Sequence, residues 1–154
     1  MLNLLGEYEC RCDEKGRLML PAGLKKQLQA VLQEGFVINR DIFEKCLILY
    51  PMAQWKEISG EISKLSKFIA DNVKFSRKFN NGATPIDLDA SGRLLLPTSL
   101  MTYAEVRKDL VLTGNGDRIE IWSKKNHKAM LDEEVDMGKL SEKVMGGTSK
   151  QSNQ

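Results

Sequence analysis

One nine-residue stretch occurs twice in this chain and constrains the rest of it. Asp13-Glu14-Lys15-Gly16-Arg17-Leu18-Met19-Leu20-Pro21 returns 76 residues later as Asp89-Ala90-Ser91-Gly92-Arg93-Leu94-Leu95-Leu96-Pro97, with six of nine positions identical. In 154 residues this sets one copy near the start of each half, which is the mark of a tandem duplication. Each copy specifies a tight turn. An aspartate opening a turn accepts backbone N–H groups, and a glycine in the fourth position takes positive φ without steric cost. Alternating segments precede both turns, Glu7-Tyr8-Glu9-Cys10-Arg11-Cys12 and Thr84-Pro85-Ile86-Asp87-Leu88, so each repeat is expected to begin as a β-hairpin. The proline ends the second strand and suits the start of a helix. Leu24, Leu28, Val31 and Leu32 then form one apolar stripe, and Leu100, Met101 and Tyr103 a shorter one.

The duplication continues more loosely. Gly35-Phe36-Val37-Ile38 corresponds to Asp109-Leu110-Val111-Leu112, and Cys46-Leu47-Ile48-Leu49-Tyr50 to Arg118-Ile119-Glu120-Ile121-Trp122, where the offset has fallen to 72. One half alone has too little core to stand by itself. The expected fold is mainly β with α (α+β): two pseudo-symmetric repeats closing one small barrel, with helices at its ends. A single domain over residues 1–145 would hold repeats at about 5–50 and 83–123, joined by a helical segment at 51–80. Within that segment Ser59-Gly60 should break the helix, leaving a long helical pattern over 61–79 that ends at Asn80-Asn81-Gly82. Ser123 can cap a helix containing Ala129, Met130 and Leu131. Residues 146–154 are small or polar, and disorder is expected there.

Composition excludes several function classes. No run of 18 apolar residues exists, and the opening Met1-Leu2-Asn3-Leu4-Leu5-Gly6-Glu7 has no basic leader, so neither a membrane span nor a signal peptide is expected. Cys10, Cys12 and Cys46 are odd in number and lack metal-ligand spacing, which predicts free thiols in a reducing cytoplasm and no metal. With one histidine, no nucleophile elbow and no phosphate-binding glycine loop, enzyme chemistry and a cofactor find no support. His127 lies in a polar helical stretch and is expected to be exposed. Trp55, Trp122, Tyr50 and Tyr8 read as core or interface aromatics, and Phe75 and Phe79 as packing residues beside the second repeat. Net charge is only +2, with the basic excess in residues 1–80, which hold 13 basic and 10 acidic side chains.

The remaining candidates are the repeated arginines. Strand alternation puts Arg17 on the face of Met19 and Arg93 on that of Leu95, opposite Leu18, Leu20, Leu94 and Leu96. An arginine in this position either braces its turn against Asp13 or Asp89, or presents its planar fork to phosphate oxygens and guanine edges. The two roles are compatible. Arg11 and Lys15 make the first copy a candidate phosphate-contacting surface, and Lys25, early in the following helix, faces either solvent or phosphate. The second turn, with uncharged Ala90 and Ser91, is electrostatically poorer.

Two Asp-x-x-x-Arg elements, each followed by an apolar strand and proline and joined by a mid-chain helix ending near Asn81-Gly82-Ala83, resemble the MraZ family of bacterial transcriptional regulators. Gly6-Glu7-Tyr8 and Arg118-Ile119-Glu120-Ile121-Trp122-Ser123 look like that family too, so the likeness covers roughly residues 4–131. The segment Asn39-Arg40-Asp41-Ile42-Phe43-Glu44-Lys45 keeps the family's outline, whereas the helix after Ser123 lacks a tryptophan near Asn126. The resemblance implies an AbrB-like swapped-hairpin barrel and a DNA-binding surface at Asp13, Arg17, Asp89 and Arg93. It also implies rings of eight or twelve subunits at the nucleoid. These would bind short direct repeats of double-stranded DNA in the promoter of the division and cell-wall gene cluster, usually repressing it. The alternative is a structural or protein-interaction ring without specific DNA binding, whose arginines are only braces.

Overall fold

The computed structural model describes residues 2–151. In chain order its elements are β1 (Glu7–Arg11), β2 (Arg17–Met19), α1 (Ala22–Gln27), a 3-10 turn (Leu32–Glu34), β3 (Phe36–Arg40), β4 (Leu47–Pro51), α2 (Met52–Ser63), α3 (Ala70–Asn80), β5 (Thr84–Ile86), β6 (Arg93–Leu95), α4 (Thr98–Tyr103), β7 (Asp109–Asn115), β8 (Arg118–Ser123), α5 (Lys124–Asp132) and α6 (Met137–Gln151). Helix α6 thus runs into the segment where disorder was expected, and residues 152–154 lie outside the described residues.

The two halves exchange strands. The larger sheet has the order β1-β7-β8-β4-β3-β5, and a separate two-stranded sheet holds β2 and β6. β1 of the first half pairs with β7 of the second, Tyr8 opposite Leu112. Reciprocally, β5 pairs with β3, Pro85 opposite Val37. The pseudo-twofold passes between β4 and β8 at Ile48–Glu120 and between β2 and β6 at Leu18–Leu94.

This topology corrects two expectations. Neither sheet closes into a barrel: β1 and β5 are the free edges of an open six-stranded sheet, and the β2–β6 ribbon is a separate sheet. Nor are β1 and β2 a regular hairpin: they meet beside the turn alone, through the Cys12–Leu18 bridge and the Asp13 N–H bonded to the Arg17 carbonyl at 3.0 Å. The tight turn sends the chain into a different layer, where β2 finds its pseudo-symmetric copy before any closing strand.

The six-stranded sheet is buried on both faces, so its central strands read as continuous apolar runs. On one face Ile38, Leu47, Leu49, Leu110, Leu112, Ile119 and Ile121 pack against Leu18, Leu94, Leu24 and Leu100 from the ribbon, α1 and α4. On the other, Cys46, Ile48, Tyr50, Val111 and Trp122 pack against Trp55, Ile58 and Met130 from α2 and α5. Phe79 stacks on Trp55 at 5.8 Å and on Phe75 of its own helix at 5.7 Å, so Phe79 holds α3 to α2, and both phenylalanines line a depression with Tyr103 of the second repeat.

The helical break falls at 64–69, not at Ser59-Gly60. Gly60 is uncrowded and stays helical, at the ordinary cost of about 1 kcal/mol for a helical glycine. The chain turns at Ser66, whose Oγ accepts the Phe68 N–H and whose carbonyl accepts from Asn72 Nδ2. The C-terminal end of α3 is then tied to β3: buried Asn39 donates Nδ2–H to the Phe79 carbonyl at 2.8 Å, and the Arg40 guanidinium donates to the Asn81 carbonyl. These bonds satisfy carbonyls that a helix end leaves without partners.

Candidate nucleic-acid interface

The repeated turns have nearly the same geometry. Gly16 and Gly92 take φ of 81° and 82°, in the region that only glycine enters freely. Asp13 Oδ1 accepts the N–H groups of Lys15 and Arg17, each at 2.9 Å. Its other oxygen accepts Nε–H of Arg17 at 2.6 Å. In the second copy Asp89 Oδ1 accepts from Ser91 and Arg93, again at 2.9 Å, and Oδ2 from Arg93 Nε at 3.0 Å. The brace read from sequence is present in both copies. It uses only Nε, so the outer amino groups of both guanidiniums make no hydrogen bond among the described residues. The turns also lock one another: the Gly92 carbonyl accepts Leu20 N–H at 3.2 Å, and the Gly16 carbonyl accepts Leu96 N–H at 2.9 Å.

Ribbon pairing sets Arg17 opposite Leu95 and Met19 opposite Arg93. Leu18 and Leu94 point inward and are fully buried. The outward face therefore carries both arginines, 34% and 32% exposed, together with Met19 and Leu95, 53% and 58% exposed. The β2–β6 pairing thus brings Arg17 and Arg93 onto one small face, each beside the apolar residue that alternation predicted, and their aspartates with them.

The other candidates scatter. Lys15 sits at the tip of the first turn and lines a shallow depression with Thr84, Asp87, Leu96 and Thr98 of the second half. Arg11 is strongly exposed and bonded to Asp109 across β1 and β7 at 3.0 Å. Lys25 crosses to the other repeat: a Cβ built on Gly92 would lie 3.5 Å from its Nζ. The corresponding residue of the second repeat, Met101, lies over Gly16, with Sδ 3.0 Å from a Cβ built there. The second turn, uncharged in its own sequence, thus borrows a cation from the first half. Sequence reasoning missed this because it depends on β2 pairing with β6. The prominence of Met19 and Leu95 was missed as well, although the outward alternation of Arg17 and Arg93 already contained it.

Electrostatics hold the turns in place. The Arg17 backbone N–H first, then the Arg17 guanidinium and the Lys15 N–H, keep the Asp13 carboxyl below its ordinary value of 3.8. The Arg93 and Ser91 N–H groups, with the Arg93 charge, do the same for Asp89. A carboxylate whose pKa is depressed on folding stabilises the fold above its unfolded pKa and loses that contribution as pH falls through the folded value. Both turns should therefore stay intact through the ordinary aspartate range and loosen only below it. Carboxyl-carbon NMR titration should place the midpoints of Asp13 and Asp89 under 3.8; a midpoint at or above that value in either residue would contradict the geometry.

Elsewhere the polar groups are structural. Ser123 caps α5 by accepting Asn126 N–H at 3.0 Å. His127, expected to be exposed, is buried instead: α5 lays it against the Trp122 ring, and Nε2 meets Glu7 Oε1 of β1 at 3.0 Å. All three cysteines are free, and burial pushes their thiols up. Among the described residues no cluster of three His, Cys, Asp or Glu could hold a metal ion, and no helix is long and apolar enough to cross a membrane.

Comparison with known proteins agrees with this duplicated layout. A family model described as MraZ protein matches residues 3–78 and again 79–144. The "Transcriptional regulator MraZ" of Flavobacterium psychrophilum is 46% identical over 150 residues, 97% of this chain and 96% of its own length. The protein of the same name from Christiangramia forsetii is 43% identical, covering 95% of each chain. That of Clostridium tetani is 34% identical over 91% of this chain and 95% of its own. Each of these relatives bears the name of a regulator of transcription. Matched by the family model in both halves and by relatives of this similarity along nearly its whole length, the chain belongs to the MraZ family of transcriptional regulators.

Proposed function

We propose that this regulator acts by binding promoter DNA through the outer face of the β2–β6 ribbon, with Arg17 and Arg93 as base readers and Asp13 and Asp89 as their supports. The observation that carries the reading is the geometry of the arginine pair. Both stand on one exposed face, each held at Nε by its own aspartate, with the outer amino groups unused among the described residues. A guanidinium fixed in this way has lost its side-chain entropy before binding and still has a fork to offer guanine O6 and N7. Lys15, Lys25 and Arg11 supply salt-dependent phosphate contacts, and Lys25 does so at the second turn.

A single subunit presents little cationic surface. Large apolar side chains outside the ribbon's two strands stand exposed, among them Phe43, Phe68, Met137 and Met145, and such residues mark assembly surfaces when they cluster. Self-association into a ring, of eight or twelve subunits as in the family, repeats the arginine pair at fixed intervals. Weak contacts then add through effective concentration, and short direct repeats are the matching DNA. Repression of the division and cell-wall gene cluster, at the nucleoid, is the regulatory outcome. The satisfied Asp–Arg pairs favour one competing reading, a ring whose arginines are only braces.

Titration against a fluorescent duplex from the protein's own upstream region, beside a scrambled duplex of equal length, separates the two. A marked preference for the upstream DNA is expected, with affinity falling steeply as salt rises. Equal, weak binding to both duplexes by an assembled oligomer would leave the brace reading standing.

A further inference from the structure

We infer that Met19 and Leu95 read the 5-methyl groups of thymine, so that the ribbon selects thymines beside the guanines addressed by Arg17 and Arg93. The inference rests on the DNA-binding reading above and deepens it. Leu18 and Leu94 cover the core with nothing left exposed, while the next outward positions carry a methionine and a leucine more than half in water. Neither side chain belongs to the buried core, so folding gains less from an apolar residue there than at Leu18 or Leu94. Yet they lie at the centre of the cationic face. Arg17 faces Leu95 across the ribbon, Arg93 faces Met19, and Met19 Sδ lies near the second turn beside Lys25 Nζ, 3.6 and 3.5 Å from a Cβ built on Gly92. Charge and apolar contact are interleaved on one surface, rimmed by Lys15 and Lys25.

That pattern has a counterpart in the major groove. The groove admits a two-stranded ribbon, guanine offers it acceptors at O6 and N7, and thymine offers the methyl group, an apolar feature of the base edges. Opposed residues in an antiparallel pair stand about 5 Å apart, against about 3.4 Å per base-pair step. An arginine on a guanine therefore sets its apolar partner over a neighbouring base pair. The pseudo-twofold through Leu18–Leu94 repeats the arginine–apolar pair in the opposite sense, so each ribbon addresses two adjacent thymine–guanine combinations.

Replacing thymidine by deoxyuridine throughout the upstream duplex removes only these methyl groups, and isolates the claim. Fluorescence titration of the assembled wild-type protein should show weaker binding to the uracil duplex, about fourfold per contacted methyl, with binding to a scrambled duplex unaffected by the same replacement. The Met19→Ala/Leu95→Ala protein, checked for assembly by light scattering, should bind thymine and uracil duplexes alike, and Met19→Leu should keep the discrimination. Equal wild-type affinity for the two upstream duplexes overturns the inference and leaves the DNA-binding reading in place. So does undiminished methyl discrimination by the double variant, or loss of its assembly, which would mark these side chains as subunit contacts. If the wild type shows no preference for upstream over scrambled DNA, both the inference and the reading beneath it fall.

Discussion

Replacing Arg17 and Arg93 together by alanine is expected to abolish selective binding to upstream DNA while leaving a folded, assembled protein. The two effects separate because the arginines do little for the fold. Each is about one-third exposed and forms a single bond to an exposed carboxylate, and surface ion pairs of this kind contribute little. The turns keep their other ties, since Asp13 Oδ1 still accepts two backbone N–H groups and the turn glycines still bond the opposite strand. On DNA the balance reverses. A forked contact to guanine discriminates by about 1–3 kcal/mol, and the loss recurs in every engaged subunit. A combined drop of two orders of magnitude or more in the preference for upstream over scrambled duplex is the expected result, with light scattering unchanged. Each single variant should fall between wild type and double. A double variant that binds upstream DNA as tightly as wild type would remove the arginines from the site.

The second large effect is on stability. Leu18→Ala and Leu94→Ala should each cost about 2–5 kcal/mol, the range for a large-to-small change in a packed interior. Both leucines are fully buried, and they oppose each other where the pseudo-twofold crosses the ribbon. They hold a sheet of only two three-residue strands onto the main sheet. Because they share one environment, the double variant should depart from the sum of the singles. Urea unfolding monitored by Trp55 and Trp122 fluorescence measures all three. A cost under about 1 kcal/mol for either single change would show that the ribbon contributes little of the core, contrary to its packing.

Much of this was legible in the residues because it is local. Asp13 and Gly16 fix a turn wherever they fall, Pro21 precedes α1 as Pro97 precedes α4, and the Ser123 hydroxyl caps α5. Alternation placed Arg17 with Met19 on one face. Alternation does not name a partner strand, however. Glu7 to Arg11 would look the same paired with β2 as with β7, and the choice is made by the whole core at once. The barrel expectation failed for that reason, and the passage of Lys25 to the second turn was invisible for the same one. His127 misled because its neighbours Lys124, Lys125 and Lys128 are polar. Their helix turns one face onto Trp122, and Glu7 arrives from a strand far away in sequence. The unbroken helix through Gly60 shows a weak breaker overruled by the continuity of its turns.

The exchange of strands between halves also has a consequence for synthesis. The ribosome delivers β1 before β7, its only sheet neighbour among the described residues, which ends at Asn115. At about 5–20 residues per second, the nascent chain spends several seconds with that strand unmatched. The two halves complete each other late, and folding dominated by such distant pairings is slow. The charges of Glu7, Glu9 and Arg11, on the outer face of β1, take on a meaning in that interval. They keep a waiting edge from recruiting the same strand of a neighbouring nascent chain on the polysome.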